Sequence, residues 1–200
     1  TYISPDDCMV QRGSKYQVLL KGILRNQLRK LNRFEFGGVE QEFSSANIER
    51  TIDDLDEPLT DGLIKTSEKI FDALMLGKSY PETVGGGKVL SFDLKYIDWD
   101  CIENNIFHVT EEYSVDSHDG EHNARPDIVL FVNGIPFAVI ECKASHITVE
   151  QAVEQTIRNE QADYIPQLFK FAQIVMATNK NSVKYATAGT PKKFWSVWKE

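Results

Sequence analysis

The stretch RPDIVLFVNGIPFAVIECKA, residues 125–144, places three ionisable residues around two apolar runs. Asp127 heads the first run, and Glu141 and Lys143 close the second. Side chains alternate along a strand, so Glu141 and Lys143 share one face while Cys142 points to the other. Asn133-Gly134 between the runs is a strong hairpin signal, and Asp127 meets the other two only if the chain folds back there. With a two-residue loop in perfect register, Asp127 falls opposite Ile140 and faces away. With a three-residue loop ending at Ile135, or with one bulge, Asp127 faces Glu141 directly. Pro136 tolerates either, because it sits at the start of a strand and has no N–H to give a ladder. Two carboxylates one strand spacing apart, roughly 5 Å, resist joint ionisation unless a cation lies between them. Oxygen-only ligands, with the Cys142 carbonyl as a further donor, favour Mg²⁺ and admit Mn²⁺. Such a metal activates water and stabilises charge on a phosphodiester, and Lys143 would orient or deprotonate the water or neutralise the developing charge. The bland reading stands beside this one: strand ends carry charges simply because they meet solvent, and D…E-x-K alone does not separate the two.

The elements around this hairpin set the fold class. Residues 16–32 place Leu20, Leu24, Leu28 and Leu31 at helical spacing with Lys21, Arg25, Arg29 and Lys30 between them, an amphipathic helix whose basic face is either solvated or open to phosphates. FSSANIERTIDDL predicts a short helix capped by Ser44 or Ser45, and residues 60–77 a further helix ending at Gly77. SYPETVGGGK (79–88) reads as a flexible loop; it fails as a phosphate loop because Glu82 and Val89 occupy positions that need Gly and Ser/Thr. Strands are predicted over 88–99 and 105–115, and 116–124 is a polar, mobile loop. Helical periodicity returns over 148–164, followed by a buried strand within 171–179 and a shorter one at VKYATA. A helix joining two strands is a crossover, so the last long strand can lie parallel to its neighbour. The class expected is α/β: a mixed sheet of antiparallel hairpin, crossover helix and parallel strand, flanked by helices (α+β if the hairpin dominates). Residues 1–87 are expected to form a helical portion packed on a core of 88–200.

Bulk properties narrow the function. The 200 residues carry a net charge of −8, so a grip on nucleic acid has to come from a local patch, a metal ion or other parts of an assembly. Cys8, Cys101 and Cys142 fit neither a disulfide framework nor a CxxC metal site, and reduced cytosolic thiols are expected. No apolar run is long enough for a membrane span and no secretory signal is present, so a cytoplasmic protein without a membrane partner is expected, read as a fragment of a longer chain.

The D…E-x-K pattern resembles the PD-(D/E)xK nuclease superfamily, with Pro126-Asp127 as the PD and Glu141-Cys142-Lys143 as the ExK. The long RPDIVLFVNGIPFAVIECK string is the specific part. With LRNQLRKLN, FSSANIE, LKYIDWD, NNIFHVTEEYSV, IPQLFKFAQIVMATN and KYATAGT, it is similar to the N-terminal nuclease region of the R subunit of type I restriction enzymes over nearly the whole chain. The resemblance implies a PD-(D/E)xK nuclease-like sheet, Asp127 and Glu141 as metal ligands and Lys143 as catalytic lysine. It further implies Gln155 as the first residue of a Q-x-x-x-Y motif that contacts DNA or supports the site. Asn159 stands where that motif has Tyr, and Tyr164 lies too far along to replace it. A leading helical glutamate is expected upstream of Thr1, leaving Glu49 and Glu68 as surface residues. The partners implied are double-stranded DNA and the methyltransferase and specificity subunits, with ATP used only by helicase-like domains outside these residues. Two other readings remain open: a PD-(D/E)xK repair nuclease or resolvase, and a non-catalytic nuclease-like module for docking or DNA contact.

Overall fold

The computed structural model describes residues 1–199; Glu200, the last residue of the expected 88–200 span, lies outside them. Helix α1 (Pro5–Arg12) begins where Ser4 Oγ accepts the Asp7 N–H at 3.1 Å, with Pro5 in its first turn. Helix α2 (Lys21–Leu31) buries Leu24 and Leu28, and α3 (Ser45–Leu55), capped by Ser44, buries Ile48, Ile52 and Leu55. The arginines of the basic α2 face are not free for phosphates. Arg25 grips Glu49 of α3 through two N–H groups, Nη2 to Oε2 at 2.8 Å, and Arg29 donates to Ser45 Oγ at 3.2 Å. Helix α4 (Leu63–Leu76) ends at Gly77 as its spacing predicts.

The first half holds more strand than the helical reading allows. Strands β1 (Arg33–Phe36) and β2 (Val39–Glu42) form a hairpin, as do β3 (Lys78–Val84) and β4 (Lys88–Leu94). The segment read as a flexible loop is therefore a strand, and only Gly85–Gly87 make its turn. The reason is alternation obscured by polar residues: Tyr80, Glu82 and Val84 are buried, and Glu82 is one of them because its carboxylate holds the start of α3. Glu82 Oε1 accepts the Ser44 N–H and the Asn47 side-chain N–H, both at 2.8 Å. The 87/88 division falls at the end of this turn.

The main sheet contains β5 (Phe107–Glu111), β8 (Ile128–Val132), β9 (Ile135–Cys142), β10 (Ile174–Thr178), β11 (Val183–Ala186) and β12 (Ser196–Val197) in the order β12-β11-β10-β9-β8-β5. Only β9 and β10 pair in parallel, joined by the crossover helix α5 (Val149–Asn159). The fold is mixed α/β. Helix α5 stops before the predicted end at 164, because the chain turns back there. Ile165 N–H donates to Asn159 O at 3.0 Å and its side chain is fully buried ahead of the short helix α6 (Pro166–Phe169). The loop expected to be mobile carries the small strands β6 (Val115–Asp116) and β7 (Asn123–Ala124) and is closed by Ser117, whose Oγ accepts the His122 N–H at 2.9 Å and donates to Asp119 Oδ1 at 2.6 Å.

Val129, Val139, Val175 and Ala177 bury one sheet face, while Ala152, Val153 and Thr156 form the buried stripe of α5. The opposite face keeps Leu130 and Ile174 exposed at 37% and 41%. Lys170 ties the two halves together: its Nζ, buried, donates to Asp56 Oδ1 at 2.8 Å and Glu57 O at 2.6 Å. Among the described residues no helix is long and apolar enough to cross a membrane.

The turn between β8 and β9 positions everything that follows. Asn133 and Gly134 have φ of 54° and 85°, the paired positive values of a type I′ turn. Asn133 is fully buried; its Nδ2 donates to Tyr96 O at 2.9 Å and Asn105 Oδ1 at 2.8 Å, and its Oδ1 accepts the Ile106 N–H at 2.9 Å. A Cβ at Gly134 would lie 2.8 Å from Leu20 O and 3.0 Å from Leu24 N, so α2 sits directly on the turn. Gly134→Ala is expected to cost about 2 kcal/mol or more, from left-handed strain plus displacement of α2. Urea unfolding of the two forms measures it; an unchanged midpoint would mean that the turn does not need its glycine.

Candidate active site

The hairpin register decides which residues meet. Beside the turn, Val132 pairs with Ile135 and Phe131 with Pro136; beyond it, Leu130 pairs with Ala138, Val129 with Val139 and Ile128 with Ile140. Phe137 is the extra residue, a bulge next to Pro136, which has no N–H for the ladder. Of the two ways to bring Asp127 opposite Glu141, the chain uses the two-residue turn with one bulge. Glu141 shares its face with Val139 by the strand period, and the slip brings Val129 and Asp127 to that same face, where Glu141 has no exposed surface.

Asp127 precedes β8 and is held through its backbone and its side chain. Its carbonyl accepts the Glu112 N–H at 2.9 Å, and its Oδ2 accepts the Cys142 N–H at 2.7 Å. That second bond fixes Asp127 against the end of β9, with the exposed Cys142 thiol outside the cluster. Lys143 continues the parallel pairing, donating its backbone N–H to Thr178 O at 2.8 Å. The Lys143 side chain turns to α5, where Nζ donates to Gln155 Oε1 at 2.5 Å. The other end of the same amide, Nε2, donates to Glu141 Oε2 at 2.8 Å. Lysine can only donate and a carboxylate mainly accepts, so a glutamine fits between them in one orientation. Asn159 Nδ2 reaches Glu141 Oε1 at 3.5 Å. Glu141 is thus flanked by Asp127 and held on both oxygens by amides of α5.

The structure brings Asp127, Glu141, Lys143 and Gln155 together and places Glu49 and Glu68 on the surface. Asn159, which stands where the motif has Tyr, joins them. The signal for it was its spacing: four residues after Gln155, it lies on the same helix face. Tyr164 lies on the connector beyond α5, against His122, with ring centroids 4.9 Å apart.

Burial dominates the electrostatics. The Glu141 carboxyl is pushed up to about 8, first by desolvation, then by the charge of Asp127 and the hydrogen bond they share; Lys143 and Gln155 pull it down. Two adjacent carboxylates short of positive charge, oxygen donors both, suit a hard divalent cation. Among the described residues no third His, Cys, Asp or Glu side chain joins them. Two members of the cluster, Lys143 and Gln155, also line a groove of about 610 Å³ together with Ile147, Gln151, Glu154 and Arg158.

A mixed α/β domain with a carboxylate–amide–lysine cluster around a buried glutamate at the end of a bulged hairpin defines the class of the protein from its structure. The sequence identifies it further: residues 2–194 match the profile described as the type I restriction enzyme R protein N terminus, and the chain belongs to that family. It is similar to two Methanocaldococcus jannaschii proteins provisionally named the type I restriction enzyme MjaIXP and MjaVIIIP endonuclease subunits, at 32% identity over 64% of the chain and 33% over 79%. It is similar also to the type I restriction enzyme EcoprrI endonuclease subunit of Escherichia coli, at 26% identity over 88% of the chain. These matches span 13%, 14% and 54% of the respective relatives.

Glu141 also predicts how stability depends on pH. Its carboxyl stays protonated when folded up to about pH 8, whereas a model glutamate ionises near 4.5. The folded state therefore binds the proton more tightly. Its contribution is fully present below pH 4.5 and is lost as pH rises through about 8. Glu160, pushed up to about 7 by burial with only the Gly189 N–H opposing, adds the same slope. In chelator-treated protein Glu141→Gln is expected to match the parent at acid pH and to exceed it by a few kcal/mol at pH 8. Urea midpoints across this range measure the gap, which Glu160→Gln should widen further; parallel pH profiles for parent and variants would show that neither carboxyl is held neutral.

Proposed function

We propose that this chain is a Mg²⁺-dependent DNA endonuclease domain of a type I restriction R subunit, a PD-(D/E)xK nuclease. The observation that carries this reading is the bulge at Phe137, which sets Asp127 opposite Glu141 while Gln155 links Lys143 to the same carboxylate. In an ordinary pair of strand ends nothing requires a fully buried glutamate beside an aspartate. Asp127, Glu141 and the Cys142 carbonyl would hold the Mg²⁺, and Mn²⁺ suits the same oxygens. Bound there, the cation supplies Lewis acidity and lowers the pKa of water. Gln155 and Asn159 keep Glu141 oriented with its oxygens presented. Lys143, donating to Gln155 Oε1 and lining the groove, is placed to orient the attacking water and to neutralise negative charge on the phosphate as the P–O bond breaks.

The net charge of −8 agrees with a module that receives DNA from other parts of a larger assembly, rather than one that captures it alone. We assign that delivery to ATP-driven helicase-like domains and to the methyltransferase and specificity subunits, with double-stranded DNA as substrate and the cytoplasm as the compartment. A repair nuclease or resolvase of the same superfamily would cleave without ATP or those subunits.

In the full-length protein assembled with its partner subunits, Asp127→Ala, Glu141→Ala and Lys143→Ala should each lower DNA cleavage by at least about 100-fold while ATP hydrolysis continues. Cleavage at the parent rate by any of them removes that residue from the site. Calorimetry supplies an independent reading: Mg²⁺ binding at this cluster should disappear in Glu141→Ala, and its persistence would favour the docking module.

A further inference from the structure

Arg158 differs from every other arginine of the chain. Arg12 donates to the Ser114 carbonyl, Arg25 and Arg29 bind Glu49 and Ser45, and Arg33, Arg50 and Arg125 pair with Glu42, Asp54 and Glu112. The Arg158 guanidinium has no hydrogen-bond or ion-pair partner among the described residues. It lies instead over the Tyr164 ring, 5.3 Å from its centroid, and the same ring stacks with His122, with 4.9 Å between centroids and 17° between the planes. A contact with an aromatic ring leaves the guanidinium N–H donors unused. Arg158 lines the same groove as Lys143 and Gln155. The acid nearest in the groove lining, Glu154, is already matched by Lys192 Nζ at 2.5 Å.

The stack is built from three separate pieces of chain. Arg158 stands three residues after Gln155, its neighbour on the α5 surface. Tyr164 is fixed by its N–H to Gln161 O at 2.9 Å and by the next residue, Ile165, whose N–H returns to Asn159 O. His122 belongs to the closed β6–β7 turn, from which the chain runs through Arg125 and Pro126 to Asp127. The aromatic pair thus links an arginine of the groove lining to the segment that leads into Asp127.

We propose that Arg158 is a DNA-backbone anchor: its free N–H fork takes a phosphate of the strand lying in the groove, and Tyr164 and His122 present it. A planar fork suits two phosphate oxygens at once, and a contact to phosphate positions the strand without reading sequence. The anchor spans the gap between a domain of net negative charge and a polyanionic substrate, because the local field at this rim is set by Lys143 and Arg158 rather than by the total. The inference rests on the nuclease reading above.

The test is single-turnover cleavage of plasmid DNA by the full-length protein with its partner subunits, measured across salt concentrations, with Asp127→Ala in parallel. Arg158→Ala should slow cleavage about tenfold near physiological salt and lower the log–log salt slope by about one, the signature of one lost phosphate contact. Arg158→Lys should recover most of the rate, since the charge returns without the fork, and Tyr164→Ala should give a smaller version of the same defect. The thermal midpoint of Arg158→Ala should match the parent, because the side chain holds nothing in the fold. If Asp127→Ala is inactive and Arg158→Ala keeps both the parent rate and the parent salt slope, the anchor is overturned and the nuclease stands. A salt-independent loss that Arg158→Lys does not rescue overturns it too, as a structural effect. Cleavage by Asp127→Ala at the parent rate overturns the nuclease reading and the anchor with it.

Discussion

Two side chains on neighbouring antiparallel strands can meet on one face only if the residues between them number correctly, because strand side chains alternate with a period of two. A hairpin with the tight turn at Asn133-Gly134 and no irregularity would send Asp127 and Glu141 to opposite faces. One added residue, Phe137, reverses this for everything beyond it. The bulge needs a fixed starting point, and the turn provides one: Asn133 is buried with its amide fully bonded, and α2 rests on the hydrogen of Gly134 where any side chain would collide. Helix placement, turn, bulge and carboxylate pairing form one chain of dependence, in which the first links lie at the opposite end of the hairpin from the chemistry.

The cluster at the far end is electrostatically unfavourable by itself. Glu141 is desolvated and has a second carboxylate as neighbour, both of which disfavour its charge. The compensation comes from α5, whose amides at Gln155 and Asn159 reach both oxygens, and from Lys143 through Gln155. This relates the crossover topology to function. The connection that makes β9 and β10 parallel is the same helix that supplies the polar partners of Glu141.

Long, periodic or strongly punctuated elements were legible before folding. The apolar spacing of α2, α3 and α4, the Asn-Gly turn, the crossover helix and the buried run of β10 all follow from local pattern. What escaped was structure whose reason is non-local. Strand β3 looked like a loop because Glu82 interrupts its apolar alternation, yet that glutamate is inward-facing to hold the distant start of α3. The basic face of α2 admits both a solvated and a phosphate-facing reading because nothing nearby in sequence opposes it, whereas Glu49 arrives from the next helix. Likewise α5 was read too long, since no local signal marks where the buried Ile165 must turn the chain back to Asn159.

Residue types and spacing alone determined that Asp127, Glu141 and Lys143 bracket one hairpin, that Glu141 and Lys143 share a face, and that the set could serve oxygen-ligand metal chemistry. Those are properties of covalent order and of the strand period. Whether Asp127 joined them, whether the glutamate was buried, and which amides would hold it were decided only by tertiary structure. Each depends on a competition between elements remote in the chain: α2 against the turn, Phe137 against the ladder, α5 against the sheet. A local pattern leaves two registers open, and the packing of the whole domain selects one.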